Sequence, residues 1–410
     1  MSFTRTLIIC VIALVAITTI YLASHPDTTA QLYTKGSHII EQLSYPSECY
    51  YLALFMIGKE SAVSAEATRD EKACFALLKK TSRSFAAVIN QLDDELRIPT
   101  CVFYLVLRAL DTVEDDMSID EEKKKHLLKN FHERLNDPAI CKTGIMGLGD
   151  QPEYVELLNS FDHVVRCMHT CTKEQQDIIS DITKQMADGM ASFVGKESID
   201  KTEEYDSYCH YVAGLVGIGL SRLFATASCE GEHMNGDAVP DLSDQMGIFL
   251  QKTNITRDYL EDVEEGRPWW PKEIWCKYAS SAEGLRSSKD RLSCLNEMIA
   301  SALEHAPACI DYMKLIKDPT VFHFCAVPQL MAMATLDKLY NNHEVFDKEV
   351  KIRKGLALKL MNEGAQNMDT VVRHFKELAA SIQQKARACG DEKTCRKIEH
   401  IAQYLESIEN

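Results

Sequence analysis

The sequence predicts an all-α protein, a single helical bundle around a central cavity, preceded by one membrane-spanning helix. Three observations carry this. Apolar residues recur at helical spacing along most of the 410 residues, and strand-type alternation is nearly absent. Proline and glycine fall where helices would start and stop. Two acidic stretches, LRALDTVEDD and QKTNITRDYLED, stand inside otherwise apolar helical text.

The elements follow in chain order. Residues 7–23, LIICVIALVAITTIYLA, form an uncharged apolar run. A helix needs about 17–25 such residues to span a bilayer, so this run is just long enough. The small-x-small pattern of a cleaved signal is poor, because Tyr21 sits two residues before Ala23. Residues 1–24 therefore read as a retained anchor and 25–42 as a linker. Residues 43–388 read as one all-helical domain. Its first helix is expected over 74–91, and Pro99 fits the start of the next, which runs into the first acidic stretch. A charged surface helix follows MSIDEEKKK. Gly144, Gly147, Gly149 and Pro152 mark a loop, too irregular for a phosphate cradle. Helices are expected over 154–168 and 173–194.

The stretch 205–227 is helical in period yet contains Gly214, Gly217 and Gly219. Two readings fit: space left for a bulky apolar ligand, or tight helix packing. The second acidic helix is expected over 242–263, closed by Gly266 and Pro268. Trp269 and Trp270 after it either close a pocket mouth or cover the core. Further helices are expected over 290–304, 308–316, 321–340 (bent at Pro328), 344–361 and 371–388. Residues 389–410 read as a polar tail.

Composition limits the function. A formal net charge of -16 would be repelled by a nucleic-acid backbone, and no basic, aromatic-laced stripe offsets it. The fifteen cysteines form no framework, and Cys101, Cys209 and Cys325 sit in apolar helical text as small hydrophobes. This reads as a reducing compartment.

Asp111, Glu114 and Asp115 are spaced i, i+3, i+4, so they share one helix face. Asp258 and Asp262 stand one turn apart, with Asn254 a turn earlier and Gln251 close by. Like charges stacked this way destabilise a bare helix by about 0.2–0.5 kcal/mol per pair. Solvated faces are one reading. A hard cation such as Mg2+ bound between both faces is the other, and it would reach a substrate diphosphate. Arg83, Arg108, Arg257 and Arg267 lie near these stretches and suit diphosphate oxygens.

On these motifs the chain resembles the eukaryotic squalene synthases over about residues 44–375. The resemblance is carried by SRSFAAVI at 82–89, VLRALDTVEDD at 106–116, YCHYVAGLVG at 208–217, FLQKTNITRDYLED at 249–262, FCAVPQ at 324–329 and VKIRKG at 350–355. It implies the isoprenoid-synthase type of helical bundle and a two-step reaction on farnesyl diphosphate. Head-to-head coupling gives presqualene diphosphate, and NADPH reduction then gives squalene. It further implies Asp111, Glu114, Asp115, Asp258 and Asp262 as Mg2+ and diphosphate positions. Arg83, Arg108, Arg257 and Arg267 fall on the diphosphate side. Tyr208 matches the catalytic tyrosine, Tyr104 a substrate-orienting position, and Phe324 an aromatic associated with the second step. Asn254, Lys351 and Arg353 fall where the family places NADPH. No GxGxxG fingerprint is present, so a Rossmann mode is not expected. The usual relative carries its anchor at the C terminus; here the apolar run is N-terminal. The resemblance implies a monomeric catalytic domain facing the cytosol from the endoplasmic reticulum membrane.

Overall fold

The computed structural model describes residues 45–57, 67–196 and 198–408. The apolar run 7–23 and the linker 25–42 lie outside the described residues. Among the described residues every regular element is helical.

The chain opens with α1 (Pro46–Ile57), α2 (Arg69–Thr81) and α3 (Arg83–Ile89). The single helix expected over 74–91 is therefore two. Ser82 adopts extended backbone (φ -156°, ψ 106°), and its hydroxyl accepts the Phe85 N–H at 3.3 Å, capping α3. The long α4 (Asp94–Asp115) is capped by Asp93, six residues before Pro99, which sits inside the helix. Its 22 residues span about 33 Å and deliver the first acidic stretch to the end of the bundle. α5 (Glu121–Lys129) is the charged helix, and the loop after it carries Gly144, Gly147 and Gly149 at positive φ. α6 (Pro152–Asn159) and α7 (Phe161–Met168) again divide one expected helix, here at Ser160.

The centre holds α8 (Lys173–Phe193), α9 (Thr202–Cys209), a π turn over His210–Gly214, α10 (Leu215–Ala225) and α11 (Val239–Arg257). Packing explains the glycines here. A Cβ at Gly217 would lie 2.1 Å from the Ser243 carbonyl oxygen, and one at Gly247 2.1 Å from that of Ala213. The α10 and α11 backbones thus touch, so tight packing is the correct reading of Gly217.

The rest comprises α12 (Tyr259–Glu264), α13 (Lys272–Trp275), α14 (Arg291–Leu303), α15 (Ala306–Leu315), α16 (Pro319–Leu339), α17 (Lys354–Lys359), α18 (Met368–Cys389) and α19 (Glu392–Ile408). Pro328 lies inside α16, which runs on through it as one helix. Among the described residues α16 is the one helix long and apolar enough to cross a membrane, but most of it is buried in the bundle against α11 and α18. The stretch 348–353 is not helical.

Residues 389–410, polar by composition, carry an amphipathic helix. Ile398, Ile401 and Leu405 of α19 are buried where it packs on α14, α15 and α18. Glu297 of α14 pins this end, accepting from Lys393 at 2.7 Å, Lys277 at 2.9 Å and Tyr278 at 2.8 Å. Burial opposes its charge, yet those three donors hold its carboxyl down to about 2. A depressed carboxylate stabilises the fold above its unfolded value of about 4.3, and that stability is lost as pH falls toward the folded value. The expected result is that Glu297→Gln lowers Tm at pH 7 by a few degrees, from a loss of up to about 3 kcal/mol. The gap to the unmodified protein should narrow steadily as pH falls from about 5 toward about 2. Thermal denaturation across that range checks it, and a gap independent of pH would contradict it.

Candidate active site

The first acidic face closes α4. Arg108, one turn before Asp111, lies 3.6 Å from its carboxylate and 5.4 Å from the centre of the Tyr154 ring. Tyr104 stands a further turn back, its ring packed on Phe85 at 5.5 Å. Lys124 of α5 is buried and donates to the Glu114 carbonyl at 2.6 Å. Burial pushes the Glu114 carboxyl up to about 8, and neighbouring Asp115 and Asp111 add to it. Burial likewise raises Asp111 to about 6, against the pull of Arg108.

The second face straddles the junction of α11 and α12. The helix breaks at Asp258, but the turn is kept: Asp258 N–H donates to the Asn254 carbonyl at 2.8 Å, and Asp262 N–H to that of Asp258 at 3.0 Å. The one-turn spacing therefore survives. Arg257 grips Asp258 with two bonds of 2.7 and 2.6 Å. Asp262 Oδ2 is buried without a hydrogen-bond partner. Burial and then the Asp258 charge push the Asp262 carboxyl up to about 8.

Both faces look into one cavity of about 400 Å³, lined by Asp111, Glu114, Asp115, Asn254, Asp258 and Asp262 together with Arg108, Arg257 and Arg267. Arg267 links the faces. Its guanidinium donates to Asp115 at 2.9 Å, and its backbone N–H donates to the Asp262 carbonyl at 2.8 Å. Among these carboxylates Asp111, Glu114 and Asp262 have their proton affinity raised by burial and then by neighbouring negative charge, which marks a place short of positive charge. Among the described residues no three His, Cys, Asp or Glu groups converge into a closed metal cage. Mg2+ needs none: it keeps waters and takes one or two carboxylates plus substrate phosphates. The donor set and the orphaned Asp262 oxygen fit such an ion.

An aromatic wall borders the same cavity. Tyr208, the penultimate residue of α9, is buried and stacks on Trp269 with ring centres 4.1 Å apart and planes at 13°. Phe193 meets it edge-on at 5.1 Å. The two tryptophans divide the roles the sequence left open: Trp269 lines the cavity, and Trp270, 1% exposed, belongs to the core.

The other expected residues are more dispersed. Phe324 is buried on α16 against Phe224, with ring centres 6.0 Å apart, away from the acidic cavity's lining. Arg83 begins α3, and its side chain lies outside the described part of the structure. Lys351 is exposed and pairs with Glu349. Arg353 is matched by Glu48 of α1 through bonds of 3.0 and 2.6 Å and covers the Tyr45 ring. Asn254 and the exposed Lys351 suit an anionic cofactor, whereas the Arg353 guanidinium is already committed. The cavity also recruits residues not singled out in the sequence: Asp150, Gln151 and Tyr154 from the loop and first turn of α6, and Glu261 and Glu265 beyond the second face. Neither the glycine loop nor Tyr154 carries a local pattern that announces this.

An all-helical bundle with paired carboxylate faces, flanking arginines and an aromatic wall defines a class, the enzymes that ionise prenyl diphosphates. Comparison with known proteins makes this specific. The squalene/phytoene synthase family profile matches residues 78–355. The chain is 44% identical to the squalene synthase of Rattus norvegicus over 340 residues, 81% of this chain and 80% of that one. It is 43% identical to squalene synthase BSS of Botryococcus braunii over 353 residues, 84% of this chain and 75% of that one. A solved structure of TcSQS with a bound ligand is similar at a TM-score of 0.78 and 38% identity, covering 83% of this chain and 99% of that one. The chain belongs to the squalene/phytoene synthase family and is an enzyme of its eukaryotic squalene synthase branch.

Proposed function

We propose that the chain couples two farnesyl diphosphates head to head to presqualene diphosphate and reduces that to squalene, with Mg2+ and NADPH as cofactors. The observation that carries the reading is the single cavity between the two carboxylate faces, bridged by Arg267 and bordered by the Tyr208–Trp269 stack. Asp111, Glu114, Asp115, Asp258 and Asp262 are the groups that would hold Mg2+. When bound, that ion neutralises charge developing on the departing diphosphate. Arg108 and Arg267 donate to the same oxygens. The faces of Tyr208 and Trp269 stabilise an allylic cation, and their packing keeps water from it. The Tyr208 hydroxyl guides the proton lost as the cyclopropane closes. NADPH, when bound, supplies the hydride of the second step, with Asn254 of the cavity wall and the exposed Lys351 outside that wall as the groups that would meet it.

The product is the hydrocarbon precursor that sterol-forming chemistry consumes. The reading extends to a monomeric catalytic domain held on the cytosolic face of the endoplasmic reticulum by residues 7–23. Deleting residues 1–42 is expected to move the protein from the membrane to the soluble fraction with activity kept. Fractionation and assay of both forms check this, and an already soluble full-length chain would refute it. The reaction itself is tested by incubating the protein with farnesyl diphosphate and Mg2+, with and without NADPH, and weighing the lipids formed.

A further inference from the structure

We propose that the buried ammonium of Lys252 is a positioning group: paired with Asp206, it sets the angle at which α9 presents Tyr208 to the second acidic face. This rests on the site reading given above. Lys252 follows Gln251, which lines the cavity, so its side chain leaves α11 in another direction. That side chain is 2% exposed. A lysine is almost never so buried unless paired. Its Nζ lies 2.7 Å from Asp206 Oδ1, 3.1 Å from Ser301 Oγ on α14 and 5.4 Å from the centre of the Tyr205 ring. The Asp206 contact is a close approach of charges and not an aligned hydrogen bond. Three elements, α9, α11 and α14, thus meet at one cation.

The location gives the contact its consequence. α9 is only eight residues long and passes directly into the π turn over His210–Gly214. A π turn widens the ladder by one residue, so α10 fixes the rotation of α9 less firmly than a continuous α-helix would. Asp206 and Tyr208 lie two residues apart, about 200° around the helix. Pinning Asp206 on one side therefore aims Tyr208 on the other, into its stack on Trp269. Six residues after Lys252, at the residue that caps α11, stands Asp258. The ammonium thus references the tyrosine to the first carboxylate of the second face through the last two turns of α11. A hydrophobic pair of similar volume would hold the helices together as well or better. What the charge pair adds is a defined register, and that is the property the first step needs.

The test is Lys252→Met, with Lys252→Arg and Asp206→Asn beside it, assayed on farnesyl diphosphate and Mg2+ without NADPH. Lys252→Met is expected to keep KM within about threefold while kcat for presqualene diphosphate falls about a hundredfold, the scale of a displacement of about 1 Å at a reacting centre. A misplaced ring also lets water reach the cation. Farnesyl cation plus water then gives farnesol and a proton, so the share of farnesol should rise. Asp206→Asn should move both readouts the same way, and Lys252→Arg should recover most of the rate. A kcat per folded molecule within about threefold of the unmodified enzyme, with no added farnesol, would overturn the proposal. If Lys252→Met does not fold, Asp206→Asn and Lys252→Arg decide, read per folded molecule, because the Asp206 side chain is 44% exposed and the amide keeps its volume. Tyr208→Phe is run in parallel. A normal first step there would remove the Tyr208 hydroxyl role from the site reading on which this proposal rests, whereas a first step slowed in Tyr208→Phe but normal in Lys252→Met would sink only the positioning role.

Discussion

Asp111→Asn and Asp258→Asn are each expected to lower turnover by about 10²–10³-fold, the usual cost of removing one group that stabilises developing charge. Asparagine keeps the shape and removes the negative charge, so packing is not the cause. The two replacements probe opposite walls of one cavity. Asp111 sits beside Arg108 on α4, and Asp258 sits in the grip of Arg257 at the end of α11. If both walls hold metal and diphosphate, each variant should also need more Mg2+ for half-maximal rate. Titrating Mg2+ against rate for both variants checks this. Near-normal activity in either one would show that its face is only solvated surface.

The second large effect is at Tyr208. Phenylalanine keeps the ring, its 4.1 Å stack on Trp269 and its attraction for a cation, and removes only the hydroxyl. A hydroxyl that guides the proton lost in the first step is worth about 10²–10⁴-fold. Tyr208→Phe is therefore expected to form presqualene diphosphate that much more slowly, and squalene with it. Supplied with presqualene diphosphate and NADPH directly, the variant should still produce squalene. Normal build-up of the intermediate without NADPH would remove the hydroxyl from the first step and leave the ring alone.

Much of this was legible in the sequence because it is local. The i, i+3, i+4 spacing of Asp111, Glu114 and Asp115 needs only a helix, and α4 provides it. Asp258 and Asp262 keep their turn across a break because one backbone bond of 3.0 Å spans it. The breaks themselves were hidden. Ser82 lies in the polar run KKTSRS and Ser160 directly after Asn159, and such polar residues read equally as an exposed helix face or as a break; Ser82 caps α3 through its hydroxyl, whereas Ser160 ends α6 without a side-chain cap bond. The helical glycines were ambiguous because a missing Cβ admits either a ligand or a neighbouring backbone. Only the 2.1 Å approach of the Ser243 carbonyl to the Cβ position of Gly217 decides between them. The tail misled by composition: Ile398, Ile401 and Leu405 form a stripe at i, i+3, i+7 within a mostly charged segment. Tyr154 and Asp150 join the site through space alone, so no spacing along the chain could reveal them. The pairing of Arg353 with Glu48 is of the same kind, spanning 305 residues of sequence.

The central claim is that one cavity performs both coupling and reduction. It is tested most directly by incubating the purified protein with farnesyl diphosphate and Mg2+, with and without NADPH, and identifying every lipid by mass. The account predicts squalene when NADPH is present and accumulation of presqualene diphosphate when it is withheld. A desaturated C30 hydrocarbon formed regardless of NADPH would contradict it and assign the site to a synthase that ends in proton loss. Saturable binding of farnesyl diphosphate with no product would contradict it as well, leaving a binding protein that keeps the fold without the chemistry.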